Sequence, residues 1–242
     1  MTITLDVGAT NAAAWAAWGH GGQGDGNDSI TAGDGDDVVY GDSGNDTLDG
    51  GTGNNTLYGG SGDDVFIANT ANDKIDGGKG FDTIDYSHAT SGLKVDLRAH
   101  SGSGFGHQVI KGVEGIIGSD FGDVLTGDKR ANVISGGGGN DVIRGLAGAD
   151  TLTGGDGKDR FSFAKKDFAD GTSDHVTDFQ KGTDVLDLSH VAKPKDAAGV
   201  AQIVFTDKAD GTHVSFQGHE VVVLDHVHVT IADLQSAGSL IL

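Results

Sequence analysis

The sequence predicts an all-β solenoid of stacked turns and short strands. Three observations predict it. Residues 23–85 and 118–162 repeat with a period of nine, glycines return at fixed places in that period, and one apolar residue returns at its eighth place. A helix does not tolerate glycine at three places in nine. A flexible glycine-rich linker would not hold an apolar residue in phase.

Residues 1–22 come first. The stretch ITLDV alternates as a strand does, and TNAAAWAAW then reads as a short helix with Thr10 or Asn11 as its N-cap. Trp15 and Trp18 would share one helix face. They fit a hydrophobic cap on the first coil, or an exposed aromatic patch for self-association or glycan stacking. The first repeat block runs QGDGNDSIT, AGDGDDVVY, GDSGNDTLD, GGTGNNTLY, GGSGDDVFI, ANTANDKID and GGKGFDTID. The second block, from Gly118, runs GSDFGDVLT, GDKRANVIS, GGGGNDVIR, GLAGADTLT and GGDGKDRFS. The eighth position is apolar in all twelve copies, and the sixth is Asp in ten and Asn in two, Asn55 and Asn132. Each copy therefore reads as a six-residue turn and a three-residue strand with one side chain pointing inward. One apolar residue per copy makes no core alone, but stacked copies make a continuous ladder. Between the blocks, Leu93, Val95 and Leu97 alternate as in a half-buried strand, so 86–117 reads as longer coils of one continuous roll. After Ser162, residues 163–242 alternate at Ile203 and Phe205, Val214 and Phe216, and Val221 and Val223, which reads as a β-rich cap.

The turns raise an electrostatic problem. If two copies make one coil, copies n and n+2 stack about 4.8 Å apart and their sixth residues form a column of like charge. Two carboxylates at that spacing repel by about 1 kcal/mol even in water. A divalent cation between the turns reverses the sign. Calcium accepts six to eight oxygens, backbone carbonyls included, and glycine presents carbonyls at positive φ.

The copies resemble the nonapeptide G-G-x-G-x-D-x-U-x of the repeats-in-toxin (RTX) calcium-binding proteins. The resemblance implies a right-handed parallel β-roll with calcium ions between stacked turns. It also implies the ligands: carbonyls at positions two and four with the Asp of one turn, and carbonyls at one and three with the Asp two copies on. Carried over, Gly24, Gly26 and Asp28 would face Gly41, Ser43 and Asp46. Asp42, Gly44 and Asp46 would face Gly59, Ser61 and Asp64, with Asp42 giving its carbonyl where the pattern has glycine. Gly60, Gly62 and Asp64 would face Gly77, Lys79 and Asp82. In the second block, Ser119, Phe121 and Asp123 would face Gly136, Gly138 and Asp141, and Gly137, Gly139 and Asp141 would face Gly154, Asp156 and Asp159. On the opposite edge Gly33, Gly35 and Asp37 would face Gly50, Thr52 and Asn55, with Asp73 further on and Asp150 in the second block. Both Asn substitutions fall on the second edge of their block, so each block is expected to have one stronger and one weaker calcium edge. At GDKRAN, Lys129 and Arg130 add positive charge where a cation should sit.

The resemblance extends past the repeats. VEGIIGSDFGDVLTG is similar to family sequence that re-enters the roll. DHVTDFQKGTDVLDLS is similar to the segment after the roll in secreted RTX proteases and alginate epimerases. This implies an uncleaved C-terminal signal for type I secretion machinery, and the apolar SLIL fits it. Asp178, Asp184 and Asp187 would hold a further cation or be solvated turn acids.

Composition narrows the partners. A net charge of −20 argues against nucleic acid and anionic membrane. No run approaches a membrane span, and MTITLDVGAT has no signal-peptide pattern. The chain has no cysteine, so neither disulfides nor thiolate metal sites arise. No H-E-x-x-H, G-x-S-x-G or P-loop is present, so no enzyme is expected. His226 and His228, read as alternating on one strand, are a surface metal pair or ordinary exposed histidines. The expected protein is a secreted calcium-binding component of a cell surface or matrix, whose partners are calcium, the exporter, and further copies or a polysaccharide. The alternatives are a carbohydrate-binding module or the C-terminal part of a larger hydrolase.

Overall fold

A computed structural model describes residues 26–191 and 203–242, with the backbone of Thr2–Thr4 and Ala13–Trp15. It is built mainly of short strands, most of them paired in parallel, and falls into two compact units, 1–119 and 120–242. The nine-residue pattern suggested other boundaries, at 22/23 and 162/163.

In the first unit the coil repeat is eighteen residues. Ser29–Thr31, Thr47–Asp49, Val65–Ile67 and Thr83–Asp85 pair in parallel, so that Ile30, Leu48, Phe66 and Ile84 stack, and Gly115–Ile117 adds Ile116. The alternate copies form a second sheet, Val38–Ser43, Thr56–Ser61, Lys74–Lys79 and His107–Lys111, stacking Val39, Leu57, Ile75 and Ile110. All nine of these side chains are at most 2% exposed. Burying each contributes about 1.5–3 kcal/mol, so the ladder is the core.

Two expectations are corrected here. The helix expected after Thr10 is instead, over Ala13–Trp15, a strand paired in parallel with Val38–Tyr40. A three-residue strand gains ladder bonds at once, whereas an isolated helix of two turns is marginal. Trp18 lies outside the described residues, so neither reading of the tryptophan pair is settled. Residues 86–117 are not simply longer coils. Leu93, Val95 and Leu97 are buried, but Lys94–Asp96 and Ser101–Ser103 run antiparallel and fold back onto His107–Lys111.

In the second unit Val133–Gly138, Thr151–Asp156 and Asp174–Val176 stack Ile134, Leu152 and Val176. On the other sheet Val124–Thr126, Val142–Arg144, Arg160–Ala164 and Val185–His190 stack Leu125, Ile143, Phe161 and Leu186. The C-terminal region thus extends the coils before it becomes an antiparallel meander, His219–Asp225, Gly211–Phe216 and Ile203–Lys208. A helix, Ile231–Ala237, starts with a Thr230–Asp233 capping box and stops at Gly238, whose φ is 72°. Leu240–Ile241, within SLIL, pairs in parallel with Leu186–Asp187. His226 and His228 lie beyond the strand rather than on it, because the chain turns at His226 with φ 59°. His228 pairs with Asp207.

Candidate metal centre

The sixth residue of each copy sits just before a strand, beneath its turn. From Asp37 to Asp82 and from Asp123 to Asp159, all eleven of these residues are at most 1% exposed; Asp28 is half-buried. In seven of the carboxyls, Asp46, Asp64, Asp73, Asp82, Asp141, Asp150 and Asp159, one oxygen is used by the turn above. The backbone N–H groups of Asp28, Asp46 and Asp64 donate to Oδ1 of Asp46, Asp64 and Asp82 at 2.8, 2.8 and 2.9 Å. Those of Asp123 and Asp141 donate to Asp141 and Asp159 at 2.7 and 2.9 Å.

The second oxygen is different. Oδ2 of Asp46, Asp64, Asp141, Asp150, Asp159 and Asp174 is buried and accepts no hydrogen bond. Leaving a buried acceptor unpaired costs about 1–3 kcal/mol, more for a charged one. Burial is the main reason that the Asp64 and Asp141 carboxyls are pushed up to about 7 and Asp159 to about 6. The N–H from the turn above works against that shift, and neighbouring carboxylates of the column add to it. Asp46, Asp150 and Asp174 are raised by the same desolvation.

The surroundings of Oδ2 fit a hard cation. A Cβ built on Gly59 would collide with both Asp64 Oδ2 and the Gly77 carbonyl, and one on Gly136 with Asp141 Oδ2 and the Gly154 carbonyl. The Asp64 and Asp141 oxygens, like that of Asp46 against the Gly59 carbonyl, therefore share a small space with a carbonyl of the turn eighteen residues on. The second and fourth positions have positive φ, 112° at Gly60 and 125° at Gly62, and a Cβ at either would overlap the carbonyl of the turn above. Asp42 adopts φ 68° at the second position, which Asp tolerates, and so presents its carbonyl as glycine would. Third-position carbonyls accept an N–H from the turn above, Ser43 from Gly26 and Ser61 from Gly44 at 2.8 Å, and Lys79 from Gly62 at 2.9 Å. Each keeps a second lone pair. Carbonyls with one carboxylate per turn are an oxygen set suited to calcium. Consistently, the described residues contain no cluster of three or more His, Cys, Asp or Glu able to hold a metal by side chains alone.

The columns run beyond the repeats. Asp82 N–H donates to Glu114 Oε2 at 3.0 Å, Asp150 N–H to Asp174 Oδ1 at 3.0 Å and Asp159 N–H to Asp184 Oδ1 at 3.1 Å. Glu114 and Asp174 were missed by the fixed nine-residue frame. Their signal was the shorter phrase, acid-x-apolar: Glu114 precedes Gly115-Ile116 and Asp174 precedes His175-Val176. Of the three acids weighed after the repeats, Asp184 continues a column. Asp178 is engaged by the N–H groups of Gly154 and Gly155 at 2.8 and 2.7 Å, and Asp187 by Ser189 and Arg160. Phe121 is 45% exposed, so its ring does not fill the turn. At GDKRAN the Arg130 guanidinium is tied to Asp128 at 2.8 Å. Gly24 lies outside the described residues.

Comparison with protein families matches the RTX calcium-binding nonapeptide repeat in four copies, at residues 24–48, 49–84, 117–152 and 136–164. No curated protein matches the chain. Among solved structures, an extracellular lipase from Serratia marcescens is similar at 19% identity and a TM-score of 0.30, over 89% of this chain. The match spans 40% of the lipase chain.

Proposed function

Because this is a protein of RTX calcium-binding nonapeptide repeats, we propose that it is an extracellular roll folded by calcium and acting as a structural or adhesive component of a cell surface or matrix. The observation that carries this reading is the set of buried, unpaired Oδ2 atoms, spaced along the columns of turns. The carbonyls and carboxylates of successive turns would hold the ion. Calcium, when bound, supplies the charge that converts a repelling column into a tie between coils. Binding to the native state alone adds stability by mass action.

In this reading the acidic chain stays unfolded where calcium is scarce, leaves through a type I exporter, and folds outside at about 0.1–1 mM calcium. The folded roll is itself the product, without a catalytic role. Support for an adhesive role comes from the outer faces of the sheets. Tyr40 and Tyr58 stack at 4.9 Å on one of them, and Tyr58 and the 45% exposed Val109 line one shallow groove of that face. A calcium titration followed by circular dichroism and particle size tests both halves. Gain of β-structure followed by growth into multimers is expected. A calcium-free chain already folded would sink the mechanism, and a folded chain that stays monomeric and binds no surface polymer would sink the adhesive role.

A further inference from the structure

The edge carrying Asn55 and Asp73 differs from the one carrying Asp46 and Asp64. Asn55 Oδ1 accepts the Asp37 N–H at 2.9 Å, which turns its Nδ2 toward the place where Asp46 and Asp64 present Oδ2. A Cβ on Gly50 would meet that nitrogen, as one on Gly59 would meet a carboxylate oxygen. Nδ2 of Asn55 faces the Gly53 carbonyl at 3.4 Å, and Nδ2 of Asn69 donates to the Gly51 carbonyl at 2.5 Å. Those are the fourth- and second-position carbonyls of one turn. The Asp73 Oδ1 accepts the Asn55 backbone N–H at 2.8 Å.

One coil further on, Gln108 repeats the arrangement. It is 2% exposed, and its Nε2 lies 3.1 Å from the Asn69 carbonyl and 3.0 Å from that of Ala71, again the second and fourth positions of a turn. The Phe105 carbonyl completes the set at 2.8 Å. The buried Tyr86 hydroxyl donates to Oε1 at 3.2 Å and fixes the amide's orientation. Gly102 leaves room for this pair, since a Cβ there would strike the Tyr86 hydroxyl.

We propose that these two consecutive stations, between turns 50–55 and 68–73 and between 68–73 and 103–108, are closed to calcium, with side-chain NH2 groups occupying the ion's place. The proposal rests on the calcium-folding reading for its neighbours but is separable from it. An NH2 group donates to the carbonyls that a cation would gather and repels a cation placed there. This part of the second edge is held by hydrogen bonds.

The test counts ions by equilibrium dialysis with calcium on the full chain. Gln108→Glu is expected to bind one more ion per chain than the parent. With terbium as the probe, tyrosine-sensitised emission should rise, because Tyr86 adjoins the station. Gln108→Ala and Asn69→Ala should leave the parent count unchanged. A lower count in either alanine variant, or no gain in Gln108→Glu, overturns the proposal. Should Gln108→Glu fail to fold, the side-chain amide resonances of the 15N-labelled parent decide. In the calcium-saturated, folded protein the Asn55, Asn69 and Gln108 side-chain NH2 groups should be protected from solvent exchange by their carbonyl partners; NH2 groups that exchange freely there overturn the proposal. A parent that binds no calcium defeats the folding reading instead, and the gain or absence of an ion in Gln108→Glu still judges the station.

Discussion

Asn55 and Asn132 look alike in the repeat but present opposite ends of the amide. A Cβ on Gly127 would meet Asn132 Oδ1, whereas one on Gly50 would meet Asn55 Nδ2. Asn132 keeps an oxygen toward its turn, so the sequence expectation of a weakened site suits it. The difference is set by hydrogen-bond partners, Asp37 N–H for one and Asp128 N–H for the other, which the nine-residue frame does not encode. Asp64→Ala is expected to raise the calcium midpoint about tenfold, the equivalent of about 1.4 kcal/mol. Asn55→Ala should instead cost about 1 kcal/mol of stability with no ion lost. Isothermal titration beside thermal melts separates the two. A pH dependence follows from the same carboxyls. Asp64, Asp141 and Asp159 have folded values of about 7, 7 and 6, above their unfolded range. The calcium-free fold therefore takes up protons that the unfolded chain does not, and gains stability as pH falls from about 7 toward about 4. Calcium-stripped protein should show more β-structure by circular dichroism at pH 5 than at pH 8, while its calcium midpoint rises as protons compete.

At the scale of the element, the turn is governed by backbone conformation. Gly62 combines φ 125° with a Cβ position blocked by the Gly44 carbonyl. Gly62→Ala should cost more than the usual penalty of about 1–2 kcal/mol for an L-residue in that region. Leu146 occupies a second position at φ 82° without being glycine. Leu146→Gly should stabilise the protein by about 1 kcal/mol in calcium, the relieved strain exceeding the added chain entropy. Chemical denaturation of both variants checks the pair. The strands were legible because each has one buried apolar residue at a constant interval. The antiparallel return of Ser101–Ser103 was not, since Ser-Gly-Ser carries no apolar signal and is held by its neighbours' ladders. The Ile231–Ala237 helix was written in its capping box and stop glycine, yet its short length let the strand-like neighbourhood obscure it.

Across the whole chain, the charge of −20 invites the idea that any salt would fold it by screening. Screening and coordination make different predictions. At about 1 M monovalent salt the Debye length is about 3 Å, but the buried Oδ2 atoms would still lack a partner. Sodium chloride at that strength should leave the chain largely unfolded by circular dichroism, where millimolar calcium folds it. The carboxylate edge could be read from the sequence because one ion type imposes one ligand spacing. The amide edge could not, because Asn55, Asn69 and Gln108 sit at different places in the pattern and meet only in space.

That amide edge has a bearing on how the chain finds its own alignment. A column of identical calcium turns is degenerate: slipping it by one coil of eighteen residues would recreate nearly the same contacts. Asn69 reaching Gly51, and Gln108 reaching Asn69 and Ala71, serve like carbonyls from different places in the repeat, so a slip of one coil would unmake both. They act as an address label, so that the metal supplies adhesion between coils while three uncharged side chains specify which coil lies next to which.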